Sequence, residues 1–180
     1  KANGELDKSF GTSGVKVIDT KGYYHDLRDI AIQPDGKILI NGSLNRGFAI
    51  YRMDSLGVMD QSFGTGGLTN INFCSMDAAQ EIAVSKSGKI AAVGYSCEFN
   101  AEFIIALFNP DGSLDLNFNG TGYFTSAFNK AFRVFQAVKF QSDRKIVAAG
   151  DCIASDVSMR TKIYVVRIDT TGHLYEVTGG

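Results

Sequence analysis

The chain has 180 residues, a formal net charge of −1 and no run of Lys or Arg. That length can bury a core, and the charge lacks the basic footprint from which nucleic-acid binders draw their affinity. No stretch reaches the roughly 18–20 apolar residues of a membrane-crossing helix, so no membrane insertion is expected, and twenty Gly against two Pro and no Trp suit a turn-rich β protein.

In chain order, Ala2–Glu5 reads as the tail of an earlier repeat, matching Asn109–Ser113. The chain opens on Lys1 with no signal peptide in front. It is therefore expected to be a piece of a longer protein. LDKSFGTSG follows at Leu6–Gly14, then a strand-sized piece at Val15–Asp19 and a spacer holding Tyr23, Tyr24 and His25. Arg28–Gln33 and Lys37–Gly42 read as two strands joined by the tight turn Pro34–Lys37, in which Pro presets φ and Gly supplies a positive one. Strands joined so closely are antiparallel neighbours. A short spacer with Arg46 leads to a fourth piece at Phe48–Asp54. Four such pieces make a meander.

All of this then recurs at intervals of roughly 53–60 residues. LDKSFGTSG returns as MDQSFGTGG (Met59–Gly67) and LDLNFNGTG (Leu114–Gly122). DIAIQPDGKILING (Asp29–Gly42) returns as EIAVSKSGKIAAVG (Glu81–Gly94) and AVKFQSDRKIVAAG (Ala137–Gly150). FAIYRMDSLG (Phe48–Gly57) returns as FIIALFNPDG (Phe103–Gly112) and IYVVRIDTTG (Ile163–Gly172). The third copy places Arg144 where the turn has Gly, which requires strain or a change of turn type. The closing HLYEVTGG reads as a degenerate fourth opening. The expectation is one repeat domain over 1–180, with repeats at 6–57, 59–112 and 114–172 and partial repeats at both ends, because one such unit cannot bury its own apolar face.

The strand faces discriminate between folds. Ile38–Ile40, Ile90–Val93 and Ile146–Ala149 are nearly continuous apolar runs, and the last strand of each copy is apolar on both faces. Sheets covered on both sides show this pattern; sheets with one wet side alternate. The fold class expected is all-β, with three four-stranded antiparallel meanders stacked as β-propeller-type blades. A β-trefoil or β-prism is the alternative. The first strand of each copy (GVKVID, GLTNIN, GYFTSAF) is expected innermost.

LDxSFGxxG followed by IAxQPDGKIxxxG and FAxxRxxxxG resembles the bacterial delta-60 repeat, a propeller-like family of cell-surface and secreted proteins, and the resemblance spans nearly the whole chain. It implies a scaffold, with no family catalytic residues to carry over.

Spacer lengths locate a candidate site. The first spacer of each copy has 14, 13 and 14 residues, whereas the second (Ser43–Gly47, Tyr95–Glu102, Asp151–Lys162) grows from 5 to 8 to 12. In an up-and-down blade both spacers lie at one end, opposite the uniform PDG and LDxSF turns. Insertions confined to one end of a repeat array mark its binding face, although surface loops also drift in length at little cost. Tyr23, Tyr24, His25, Arg46, Tyr95, Phe99 and Arg160 gather there and are the candidate binding residues for a glycan or protein partner. All three cysteines also fall in spacers, as Cys97–Cys152 or Cys74–Cys97 pairing would need, and this points to an oxidising compartment.

No cofactor and no metal site is expected, since no CxxC pair or His cluster accompanies the cysteines. Asp54, Asp60, Asp111, Asp115, Asn117 and Asn119 sit in calcium-loop-like turns but read as turn formers. His25 and His173 lack a nucleophile at motif spacing. The reading is thus a non-enzymatic, extracellular or cell-surface bacterial module binding a glycan or protein through one loop end. Its alternatives are a structural unit whose apolar sheets join copies of the chain into a closed ring, and a hydrolase acting in a central channel.

Overall fold

The computed structural model describes residues 3–19, 25–73, 77–96, 102–126, 133–153 and 161–175. It is all-β, in three four-stranded antiparallel sheets. The first holds β1 (His25–Ile32), β2 (Ile38–Leu44), β3 (Gly47–Met53) and β4 (Leu68–Ile71); the second holds β5 (Asp77–Val84), β6 (Ile90–Ser96), β7 (Glu102–Phe108) and β8 (Tyr123–Ser126). The third holds β9 (Arg133–Phe140), β10 (Ile146–Ile153), β11 (Thr161–Ile168) and β12 (Leu174–Tyr175). Strands are ordered along each sheet as along the chain.

The sheets are offset from the sequence repeats. The opening strand of the second repeat, β4, pairs with β3 of the first sheet, Phe48 opposite Ile71 and Tyr51 opposite Leu68. β8, from the third repeat, pairs with β7 of the second sheet in the same register. The second and third repeats thus each complete the sheet before them, a bond between neighbours that hydrophobic pattern alone does not reveal. Val15–Asp19, expected as a strand, is not one here. The expected innermost strands are corrected too: Leu68–Ile71 and Tyr123–Ser126 close one edge of their sheets, while β1, β5 and β9, on the opposite edges, are the strands that meet from sheet to sheet.

The second sheet is covered on both faces, as its continuous apolar runs require. Leu39, Phe48, Ile50 and Phe63 pack against Ile82, Ile90, Ile104 and Phe108 between the first and second sheets. Phe103, Ile105 and Phe118 pack against Phe135, Val138, Ile146 and Ile168 between the second and third. There Phe103 and Phe135 stack with centroids 4.1 Å apart.

A β-bulge recurs at one position of all three sheets, skipping Arg28, Gln80 and Gln136. The residue after it in the first two sheets is acidic and reaches across to the next sheet. Asp29 Oδ2 accepts the Ile82 N–H at 3.0 Å, and Glu81 accepts the Val138 N–H. The bulge also explains an invariant glycine in each repeat: a Cβ on Gly94 would lie 1.9 Å from the Ala78 carbonyl oxygen.

Candidate functional site

The stack has two ends of different build. At the uniform end, the Asp of LDxSF folds its own turn: Asp60 Oδ1 accepts the Ser62 N–H (3.0 Å) and hydroxyl (2.6 Å), and Asp7 does the same for Ser9. The other oxygen of Asp60 takes Lys37 of the DGK turn and Arg52 of β3, each at 3.0 Å. These are ion contacts without hydrogen-bond alignment, since neither Asp60 Oδ2 nor Arg52 Nε has a hydrogen-bond partner. Ser62 foremost, then Lys37 and Arg52, hold the Asp60 carboxyl far below the usual carboxylate range despite its burial. Arg52 is itself buried, lies over the Phe63 ring at 4.5 Å and donates to the Pro110 carbonyl of the next sheet and to Ser62 Oγ (3.3 Å). Lys89 and Asp115, 2.5 Å apart, repeat the pair in the second copy.

The same end carries a stitch between repeats. Gly11 N–H donates to Leu56 O, Gly64 to Asp111 O and Asn119 to Thr171 O, at 2.8–2.9 Å. Each LDxSF turn therefore lies on the xxG turn of the next sheet. At Gly112 a Cβ would stand 2.8 Å from the Phe63 ring, so this approach needs glycine. In these turns Asp54, Asp60, Asp111 and Asp115 accept from N–H groups two to four residues ahead, whereas Asn117 donates to Asp115 Oδ1 and Asn119 to the Tyr123 carbonyl. They act as turn formers, and no cluster fit to hold a metal ion occurs among the described residues.

The opposite end carries the candidate residues. Asn45 (φ 49°) and Arg46 (φ 66°) form the β2–β3 turn with both residues left-handed, the hairpin geometry that matches strand twist. The Arg46 side chain is exposed, and its carbonyl accepts the Asp77 N–H at 2.8 Å. Asp77, buried, takes the Phe73 N–H at 2.5 Å. The first hairpin is thereby tied to the start of the second sheet. His25, half-buried, has Nδ1 3.3 Å from the Tyr51 hydroxyl, whose pKa burial pushes up. Tyr95 is half-buried on β6, opposite Ala78 and Phe103. The structure places His25, Arg46 and Tyr95 at one end of adjacent sheets. Tyr23, Tyr24, Phe99, Arg160, Cys74 and Cys97 lie outside the described residues. Cys152 is on β10, opposite Arg133 and Lys162, with its side chain outside the description.

Two hollows escaped the sequence reading. One, of about 320 Å³, lies on the outward face of the first sheet, lined by Leu27, Ile30, Ile40 and Met53 and roofed by Phe10 and Ile18. The other, of about 520 Å³, opens at the uniform end among Lys37, Arg52, Lys86 and Asp111, where buried Gln33 has an Oε1 without a hydrogen-bond partner. Neither has a sequence signal, because each is bounded by residues distant in the chain. The Lys–Asp pairing did have one: both residues recur together in the first two copies.

Residues 33–63 and 86–118 match a family model described as a domain of unknown function (DUF5122) beta-propeller. Both segments run from the β1–β2 type of turn, through two central strands, to the Phe of LDxSF. A search of curated proteins finds no match. Over those two segments the chain is similar to that family, and the match, the repeated motifs and the four-stranded sheets together support β-propeller-like repeats of the delta-60 type.

Proposed function

We propose that the chain is a non-enzymatic, secreted or cell-surface module whose sheets are propeller blades, and that it binds a glycan or protein through the end carrying the β2–β3 type of hairpin. The difference between the two ends carries this reading. At the uniform end, side-chain charge is spent on turns and on stitching repeats together. At the other end, link length varies from 5 to 12 residues, and Arg46 is held out on a rigid two-residue turn. Loops set on a stiff scaffold are where recognition is built at small structural cost. A channel hydrolase has less support, because the acids Asp29 and Glu81 on β1 and β5 already accept backbone N–H groups from the next sheet.

The test is retention of the fluorescently labelled chain on purified peptidoglycan and on isolated envelope protein. Replacing Arg46, Tyr95, Phe99 and Arg160 with Ala should lower retention at least tenfold while the circular dichroism spectrum is unchanged. Equal retention by the variant defeats the loop-end reading.

A second reading, a structural unit that assembles through its sheets, is favoured by one observation. The outward faces of the first and third sheets expose Leu27, Ile30 and Ile32 on one side, and Ile163 and Val165 on the other. Apolar patches of this kind mark interaction surfaces.

A further inference from the structure

We propose that a hollow between the second and third sheets, at the uniform end, is a binding site for an acidic sugar whose carboxylate is held by Arg144 and Lys86. The site goes beyond the loop-end reading, since it lies at the opposite end of the sheets. The hollow measures about 650 Å³, within the roughly 300–1,000 Å³ of small-molecule sites. It opens where β5 and β9 run out into their turns. Both turns are closed by their own backbone, which fixes the walls: Ser85 N–H donates to Lys89 O at 2.9 Å, and Gln141 N–H to Lys145 O at 2.8 Å.

Charge sets this hollow apart. Lys86 lines it from the second sheet and Arg144 from the third, and no acid lines it. Neither cation has an ion-pair partner among the described residues. The neighbouring lysines are engaged, Lys89 with Asp115 at 2.5 Å and Lys145 with Asp143 at 2.6 Å. The hollow of about 520 Å³ between the first and second sheets is built otherwise. Asp35 and Asp111 line it, and its Lys37 and Arg52 are taken by Asp60. Carboxylates offset the cations there, and none does so here.

Arg144 carries the assignment. It sits at φ 69°, in the turn position that Gly36 and Gly88 fill in the other sheets. A side chain held in the left-handed region persists at a cost, and such positions gather at functional sites. The planar guanidinium matches a carboxylate with two parallel hydrogen bonds, and Lys86 adds a second charge from the facing wall. The rest of the lining is neutral. Gln141 and Ser142, both exposed, offer an amide and a hydroxyl that donate and accept, as sugar hydroxyls require. Phe140 and Val84, half-buried, supply an apolar floor for the C–H face of a pyranose ring. A bare phosphate would leave that floor unused, and an acidic peptide would answer the cations without the run of hydroxyls. A hexuronate residue meets all three features.

The probes are fluorescently labelled trisaccharides of galacturonate, mannuronate and guluronate, read by polarisation on the full chain. At least one should bind saturably, and at least about tenfold more tightly than its carboxyl-reduced, neutral form. Arg144→Gly should weaken that binding at least about tenfold while its urea midpoint stays at or above the parent's, which separates lost recognition from lost fold. Lys86→Gln should weaken it as well. The variant with Ala at Arg46, Tyr95, Phe99 and Arg160 should bind as the parent does; loss of binding there moves the sugar to the hairpin end and overturns this site. No saturable binding by any of the three up to about 1 mM, or parental binding by Arg144→Gly, also overturns it. Displacement by hexaglutamate or inorganic phosphate as effective as by the unlabelled sugar shows an anion site without sugar recognition, and overturns the assignment.

Discussion

Arg144 shows at a single residue how strongly the turn is specified. Strain or a change of turn type was expected, and the structure keeps the type. Arg144 sits at φ 69°, beside φ 83° for Gly36 and Gly88, and the Gln141–Lys145 bonds copy those of Gln33–Lys37. An L-residue in the left-handed region costs about 1–2 kcal/mol, so Arg144→Gly should raise the unfolding free energy by about 1 kcal/mol in urea titration. Asp60 is the second informative residue. Its depressed carboxyl pKa contributes stability that is fully present above the unfolded value of about 3.9 and is lost as pH falls towards the folded value. Asp60→Asn should cost about 2–4 kcal/mol at pH 7, since buried Arg52 loses its counter-charge, and the difference from the parent should narrow below about pH 4. A difference that is independent of pH would show that the carboxylate's charge is not what stabilises the turn.

At the scale of the element, the central fact is the bulge opposite Gly42, Gly94 and Gly150. The extra residue turns β1, β5 and β9 so that the following side chain, Asp29 or Glu81, reaches the neighbouring sheet. Gly94→Ala would drive a methyl into the Ala78 carbonyl, and either the bulge or the β5–β6 pairing must give way. We expect it to cost at least about 3 kcal/mol, read as a lowered urea midpoint, whereas Ala91→Gly in the same strand costs less because nothing must move. The glycine was visible in the sequence as the last residue of a repeated block. Its reason was not, because a bulge is a property of two strands and periodicity is read from one.

At the scale of the molecule, the repeats form one continuous body because neighbouring repeats share strands, turns and side chains. β4 and β8 belong to one repeat by sequence and to the preceding sheet by hydrogen bonding. LDxSF turns lie on the turn of the following sheet, and buried aromatics such as Phe63 and Phe118 fill the joints. Removing one repeat therefore leaves an unpaired edge on its neighbour as well as an exposed face.

The sequence by itself determined the all-β class, the three repeats, the tight turns and the two-sided burial of the central sheet. These follow from local rules: left-handed turn positions need Gly or a tolerated substitute, and a strand apolar on both faces must be covered on both. It also separated a uniform end from a variable one, through block lengths that any reader of the chain can compare. Only the tertiary structure decided which sheet each opening strand completes, which strands meet between sheets, and that Lys37, Arg52 and Asp60 share one charge cluster. Hydrophobic period fixes the faces of a strand but not its edge partner, because backbone N–H and C=O groups are the same in every repeat and pairing is settled by what lies within reach.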